Sequence, residues 1–559
     1  MLAEKVQKVV TDWVLEEGWQ SPPEFLLERP TERAHGDYAT PFCMQLARIA
    51  HKAPRVLAEE LRARLLADPE VAAVVDAVDI AGPGFLNFRL ATGAFALTAA
   101  ELLSAGEDVG HGLRVTPLHV LLEYVSVNPN GPLHVGHGRY AAYGDSLARI
   151  LRYSGHRVTT EFYINDYGRQ MERFSLSVAA RYAQSFGLDL PVPEDGYQGE
   201  YVKDIARQLR DDVGQRYVEA LRAEGLDDPR SEAALYFRVR GTELMLEEMK
   251  SELRRFRVVF DIYFSETPLH TEGRVQGIID HLLTTGDAYE LDDAVWLRTT
   301  PYGDDKDRVL IRSNEQPTYF AADIAYHQNK IARGYTHLIN VWGADHHGYV
   351  PRMKASVEIL SHDPDMLELV IGQMVNLLEA GELRQMSTRR GEMVTLDELI
   401  DAIGVDAARF FLVMRSQDQT LDLDMELARQ QNAENPVYYV QYAHARIASI
   451  LRNVSAGLEP SLPSGPSPHL FATDFERDLI KKLDEFSSAV MEAAERRAPH
   501  RIAGYAQELA GDFHVFYKNC RVIGSEPDVA AARLALCLIA RRVIARCLEL
   551  LGVSTPEAM

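Results

Sequence analysis

The residues best suited to chemistry in this 559-residue sequence sit in one run, N-P-N-G-P-L-H-V-G-H-G-R, from Asn128 to Arg139. It lies between an apolar stretch, LHVLLEYVS, and a helical one, YAAYGDSLARILRYSG. Free backbone N–H groups at a helix start favour a phosphate chain. His134 and His137 are three residues apart, so both can face one side and donate N–H to phosphate oxygens that gain charge as pyrophosphate leaves. Gly136 has no side chain, which would let an adenine ring lie flat on the backbone. Two histidines at i and i+3 could instead bind zinc or simply cap a helix. The placement after a buried strand, with Asn128 and Pro129 ahead, favours a nucleotide.

Such a turn needs a sheet behind it. LHVLLEYVS reads as a strand, GPLHVGHGR as the turn, YAAYGDSLARILRYSG as a helix and HRVTTEFYIND as a second strand. Together they form one βαβ unit of a parallel α/β sheet. The pattern resumes with FAADIAYHQNKIARG as a helix and THLINVWG as a strand, followed by ADHHGY. Between the halves, residues 171–300 are acidic and mostly helical and read as an insertion. Residues 1–112 form a small α+β unit, in which VDIAGPGFLNFRL offers strand, turn and strand. From about Gly404 the pattern is helical to the end, broken by a Pro/Gly/Ser loop at 456–468. The expected fold is multidomain α/β: a small α+β unit at 1–112, a parallel-sheet core at 113–402, and an all-α part at 403–559.

Composition narrows the function classes. The hydrophobic fraction is 46% and the charged fraction 25%, ordinary for a globular protein. No apolar run approaches the roughly 18–20 residues of a membrane span, and the N-terminal stretch carries acids where a signal peptide wants an apolar core. A cytoplasmic protein with no membrane partner is expected. Four cysteines (Cys43, Cys520, Cys537, Cys547) form no CxxC pair, so buried thiols are expected and zinc held by cysteine is not. The net charge of −23 argues against non-specific nucleic-acid binding. Residues 421–559 carry 15 Lys+Arg against 18 Asp+Glu, a net of −3, so −20 falls in the first 420 residues. A local basic face for nucleic acid therefore stays open.

The stretch LLEYVSVNPNGPLHVGHGR resembles the adenylate-forming signature of class I aminoacyl-tRNA synthetases. The flanking words EFYINDYGRQ, PTYFAADIAYH, NVWGADHHGYVPRM, MSTRRGEMVTLDELI and NPVYYVQYAHARI resemble the arginyl-tRNA synthetase family. HGDYAT and AGPGFLNF in the first unit agree, and the likeness runs from about residue 30 to the terminal LGVSTPEAM.

That resemblance implies a Rossmann-like class I core that binds ATP, with Mg2+ accompanying it, and forms arginyl-adenylate. The arginyl group would then pass to the 2′-hydroxyl of the terminal adenosine of arginine tRNA. It implies ATP contacts from His134, Gly136 and His137, and places Ser126 and Asn128 at the amino acid's polar head. It matches Asp323 to the guanidinium, with Tyr319 one helical turn before. A carboxylate can take guanidinium in a bidentate pair that lysine cannot reproduce; taken alone, Asp323 also reads as a solvated helix charge. His346 and His347 follow a strand, at the edge where such sheets bind ligands, and are expected to line the pocket.

The second signature loop departs from the family pattern Lys-Met-Ser-Lys-Ser. Here it is Gln385, Met386, Ser387, Thr388, Arg389, Arg390 and Gly391. Arg389 or Arg390 could supply the missing charge; a solvated basic turn is the plainer alternative. The helical end would support the acceptor arm and then read the anticodon, with Tyr438, Tyr439, Tyr442 and Arg446 as candidates, although such a stripe also suits a core. Phe85 and Asn87 alternate on a strand and could meet a tRNA loop base; Asn87 could equally be a turn residue. A monomer with no bound zinc is expected. Three rivals remain: a class I synthetase for another amino acid, a small-molecule nucleotidyltransferase, and a non-catalytic paralogue binding tRNA or arginine. The approximately 140-residue helical end argues against the nucleotidyltransferase.

Overall fold

The computed structural model describes residues 2–23, 25–30, 32–112, 116–225, 231–383, 394–454, 458–462 and 469–559. Strands β1 (Tyr38–Thr40), β2 (Val75–Ala81) and β3 (Phe85–Leu90) form an antiparallel sheet in the order β1-β3-β2. Its core runs from Val6 to Ala94 and holds Trp13, Phe42 and Phe88. The following helix, Thr92–Ala105, packs on helices Asp474–Asp484 and Pro527–Leu550 and so ties this unit to the C-terminal bundle.

Strands β4 (His119–Glu123), β5 (Arg157–Ile164) and β6 (Ile262–Ser265) pair in parallel. Val120, Leu121 and Leu122 are all fully buried, as a parallel strand covered on both faces requires. Strands β7 (Ala288–Leu291), β8 (Ala294–Leu297) and β9 (Arg308–Ile311) make a separate antiparallel sheet. Strands β10 (His337–Gly343) and β11 (Leu367–Gly372) then return to the parallel sheet, whose order is β11-β10-β4-β5-β6. The chain fills one side of β4 first and the other side later. The strand order therefore reverses between β4 and β10, where such sheets open a ligand crevice beyond their carboxyl ends. Last come β12 (Val375–Glu379), β13 (Glu382–Leu383) and β14 (Leu421–Asp424), in the order β13-β12-β14.

Two expectations need correction. The block 171–300 is not one insertion, because β6 lies inside it and pairs with β5 as the edge of the central sheet. Helices between Arg169 and Arg255 fill the crossover before β6, and the β7–β9 sheet follows it. A four-residue edge strand is too short to show against long amphipathic helices. The part after 403 is not all-α either: β14 pairs in parallel with β12. The long helices of that part are Pro436–Arg452, His500–Asn519 and Pro527–Leu550. All four cysteines are buried, as expected; burial pushes the Cys43 and Cys537 thiols up to about 12. Among the described residues no helix is long and apolar enough to cross a membrane, and no group of three His, Cys, Asp or Glu could hold a metal ion.

Candidate active site

The turn after β4 begins with two non-glycine residues at positive φ, Val125 (70°) and Ser126 (36°). A β-branched residue in that region stores strain of order 1–3 kcal/mol. The bend brings Ser126 Oγ to 3.1 Å from the Tyr163 N–H, which it accepts, while Asn128 Nδ2 donates to the Asn165 carbonyl at 2.8 Å. Both residues thus bind the end of β5.

The helix Val135–Tyr153 starts on His134 as its N-cap. The His137 backbone N–H donates to His134 Nδ1 and the His134 N–H to His137 Nδ1, each at 3.3 Å. The rings stack with centroids 3.5 Å apart. Burial lowers His134 to about 4, and His137 well below its usual value, with a further push from His134. Both imidazoles are neutral at pH 7. Because each Nδ1 accepts, each Nε2 carries the proton and remains a donor. The structure itself favours a glycine at 136: a Cβ there would lie 2.9 Å from His134 Cε1. Val135 N–H donates to the Val394 carbonyl at 3.1 Å, and Leu396 N–H to the Leu133 carbonyl at 2.8 Å. Residues 384–393, which include Met386, Ser387, Arg389 and Arg390, lie outside the described residues; their downstream neighbours are hydrogen-bonded to the histidine turn.

The second half of the site is acidic. Helix Tyr319–Ala332 is capped by Thr318, whose Oγ1 accepts from Ala321 N, and carries Asp323 one turn in. Tyr349 donates its hydroxyl to Asp323 Oδ2 at 2.7 Å. Burial raises the Asp323 carboxyl to about 7, against the lowering effect of that bond; Glu266 and Glu123 raise it further. Glu266 follows β6 directly and meets His270 Nε2 at 3.0 Å. Glu123, at the end of β4, is neutralised by Lys330. Among the described residues no lysine or arginine forms an ion pair with Asp323 or Glu266. Asp323, one turn into its helix, and Glu266, at the carboxyl end of β6, are carboxylates that a cationic ligand could neutralise.

The catalytic-domain model of the class I tRNA synthetases (R) matches residues 103–450, the arginyl tRNA synthetase N-terminal domain residues 1–90, and the DALR anticodon binding domain residues 440–559. The arginine--tRNA ligase of Geobacillus thermodenitrificans is 46% identical over 96% of this chain and 95% of its own length. That of Bacillus subtilis is 44% identical over 100% and 98%. The chain belongs to the arginyl-tRNA synthetase family. The Thermus thermophilus arginyl-tRNA synthetase structure superposes with a TM-score of 0.79 at 26% identity, covering 100% of both chains.

Tyr319 is 70% exposed at the helix start. His346 and His347 are exposed on the turn after β10; the residue of that turn that reaches Asp323 is Tyr349. Tyr438, Tyr439, Tyr442 and Arg446 line one cavity of about 450 Å3 with His514 and Asn432. The Tyr438 and Tyr442 rings lie within 8° of parallel, and Arg446 donates to the Tyr442 hydroxyl at 2.8 Å. Phe85 is half-buried on the middle strand of the N-terminal sheet, and Asn87 is only 7% exposed there. Glu266 and Tyr349 were not found from the sequence. An acid in YFSETP, directly after a strand, was the available signal for Glu266.

Proposed function

We propose that this chain is an arginine--tRNA ligase, acting as a monomer in the cytoplasm. The arginine carboxylate attacks the α-phosphorus of ATP, pyrophosphate leaves, and the arginyl group moves to the 2′-hydroxyl of the tRNA's terminal adenosine with release of AMP. The observation that carries this reading is the pair Asp323 and Glu266, near enough for Glu266 to raise the Asp323 carboxyl and unmatched by a lysine or arginine among the described residues, in a fold whose β4 leads into the neutral His134 and His137. Arginine's planar guanidinium suits a pair of carboxylates, whereas lysine presents a single point charge.

In this reading Asp323, with Tyr319 beside it, takes the guanidinium, and Tyr349 orients the carboxylate. Ser126 and Asn128 meet the amino acid's head, and His347 lies at the pocket's rim. His134 and His137 donate to the triphosphate, with Gly136 under the adenine. Met386, Ser387, Arg389 and Arg390 close on the phosphates from the second signature loop. Mg2+ would accompany ATP and offset the charge of its phosphates. Residues 1–112 and 403–559 meet the tRNA, the former through Phe85 and Asn87 and the latter through the tyrosine cavity, while 113–402 carries out the chemistry. The test is aminoacylation of total tRNA with each of the 20 amino acids in turn. Charging by arginine alone is expected; charging by another amino acid, or by none, overturns the reading.

A further inference from the structure

The segment before the histidines is gripped by the helices inserted between β5 and β6. Tyr201, on helix Glu200–Val213, donates its hydroxyl to the Asn130 carbonyl at 2.8 Å. The Asn130 amide in turn donates to Tyr197 at 2.8 Å and to Gln170 at 3.1 Å. Three residues further on, Glu252 Oε2 accepts the Leu133 N–H at 3.1 Å. Glu252 lies on helix Glu232–Arg255 and is 5% exposed, and Leu133 is fully buried. The Leu133 carbonyl is held by Leu396 N–H, so both polar groups flanking this residue's Cα are tied down immediately before the N-cap His134.

A carboxyl in such a place is costly. Burial raises Glu252 to about 8, with Asp397 and Glu248 adding to it against the Leu133 bond. The nearby Arg255 is engaged by Asp397 and Asp401. Neither Glu252 nor Tyr201 has a part in the reaction as derived above. A buried backbone N–H needs an acceptor, and here it is a carboxyl brought in from a helix 119 residues along the chain rather than a nearby carbonyl.

We infer that Glu252 and Tyr201 are positioning residues for adenylate formation: the inserted helices clamp residues 130–133 at two points and so aim the His134 and His137 imidazoles. This rests on the proposed phosphate role of those histidines. It gives the inserted helices a task inside the catalytic centre, in addition to any contact they make outside it.

The test is arginine-dependent exchange of pyrophosphate into ATP with tRNA present, on full-length Glu252→Ala, Glu252→Gln, Tyr201→Phe and His134→Ala, normalised to folded active sites. Glu252→Ala should lower kcat about tenfold or more and Tyr201→Phe about threefold, as expected for one lost hydrogen bond in each. The KM for arginine should stay within about twofold. Glu252→Gln, which keeps an acceptor oxygen, should recover most of the rate. If Glu252→Ala does not fold, Tyr201→Phe carries the test alone. A lower melting temperature with unchanged kcat in the clamp variants, while His134→Ala is impaired, overturns the clamp alone. Full activity in His134→Ala overturns the phosphate role and the clamp with it.

Discussion

At the residue scale, what matters is the protonation state of the groups facing the ligand. The two stacked imidazoles are neutral because burial disfavours their charge, and because each Nδ1 accepts, each Nε2 keeps its proton as a donor. His134→Ala and His137→Ala should each slow adenylate formation by about 10²–10³-fold, the cost of one preorganised donor, with arginine affinity little changed. Rate measurements across pH 6–8 should show no titration from either ring. Asp323 behaves differently. Its carboxyl is raised to about 7, and in the proposed role it must ionise to pair with guanidinium. Arginine should therefore bind more weakly as pH falls below 7, by about tenfold per unit well below it, and reach a plateau above 8. Calorimetric titration of arginine against pH checks this. Asp323→Asn should lose the pH dependence and weaken binding by about 3–5 kcal/mol, leaving ATP binding nearly unaffected. An unchanged affinity would remove Asp323 from the pocket.

At the scale of elements, the helix Val135–Tyr153 is the part to which the others are fastened. Its buried Arg139 donates to the carbonyls of Gln373, Met374 and Ser416. Its Asp145 accepts from Arg409, which is fully buried and also donates to the carbonyls of Leu551 and Phe256. One guanidinium thus joins the helix Val135–Tyr153, the end of the inserted helix Glu232–Arg255 and the C-terminal segment. Arg409→Ala would leave Asp145 and two carbonyls buried without it. We expect a loss of about 3 kcal/mol in chemical denaturation, the low end for a broken buried pair, because Arg149 still meets Asp145 at 2.8 Å. A change within about 0.5 kcal/mol, the usual range for a surface substitution, would show that this junction is dispensable.

At the scale of the whole molecule, the tyrosine cavity and the adenylate site lie on different units joined by the helices after 403. The family resemblance implies that arginine-dependent pyrophosphate exchange requires tRNA, and an induced fit is the physical account: docking of the acceptor end completes the site. Enzyme without tRNA should therefore give exchange near background, and added arginine tRNA should restore it. Brisk exchange without tRNA would mean that the site is complete by itself. Tyr442→Ala should weaken tRNA binding, by about 1–3 kcal/mol if the ring stacks on a base, and leave exchange at saturating tRNA nearly unchanged.

Much of this was legible in the sequence because the signals were local. The histidine turn, the βαβ unit around it and the helix carrying Asp323 each depend on residues within a few turns of chain, where periodicity, caps and glycines act. The collinear motifs extended that reading to the family. The partners that complete the site come from far along the chain. Tyr349 reaches Asp323 from beyond β10, Glu266 arrives at the end of a four-residue strand hidden among helices, and Glu252 meets Leu133 across 119 residues. No spacing rule encodes those contacts. They exist because a parallel sheet gathers the carboxyl ends of its strands at one edge, and because burial there shifts protonation in ways that residue type alone does not determine.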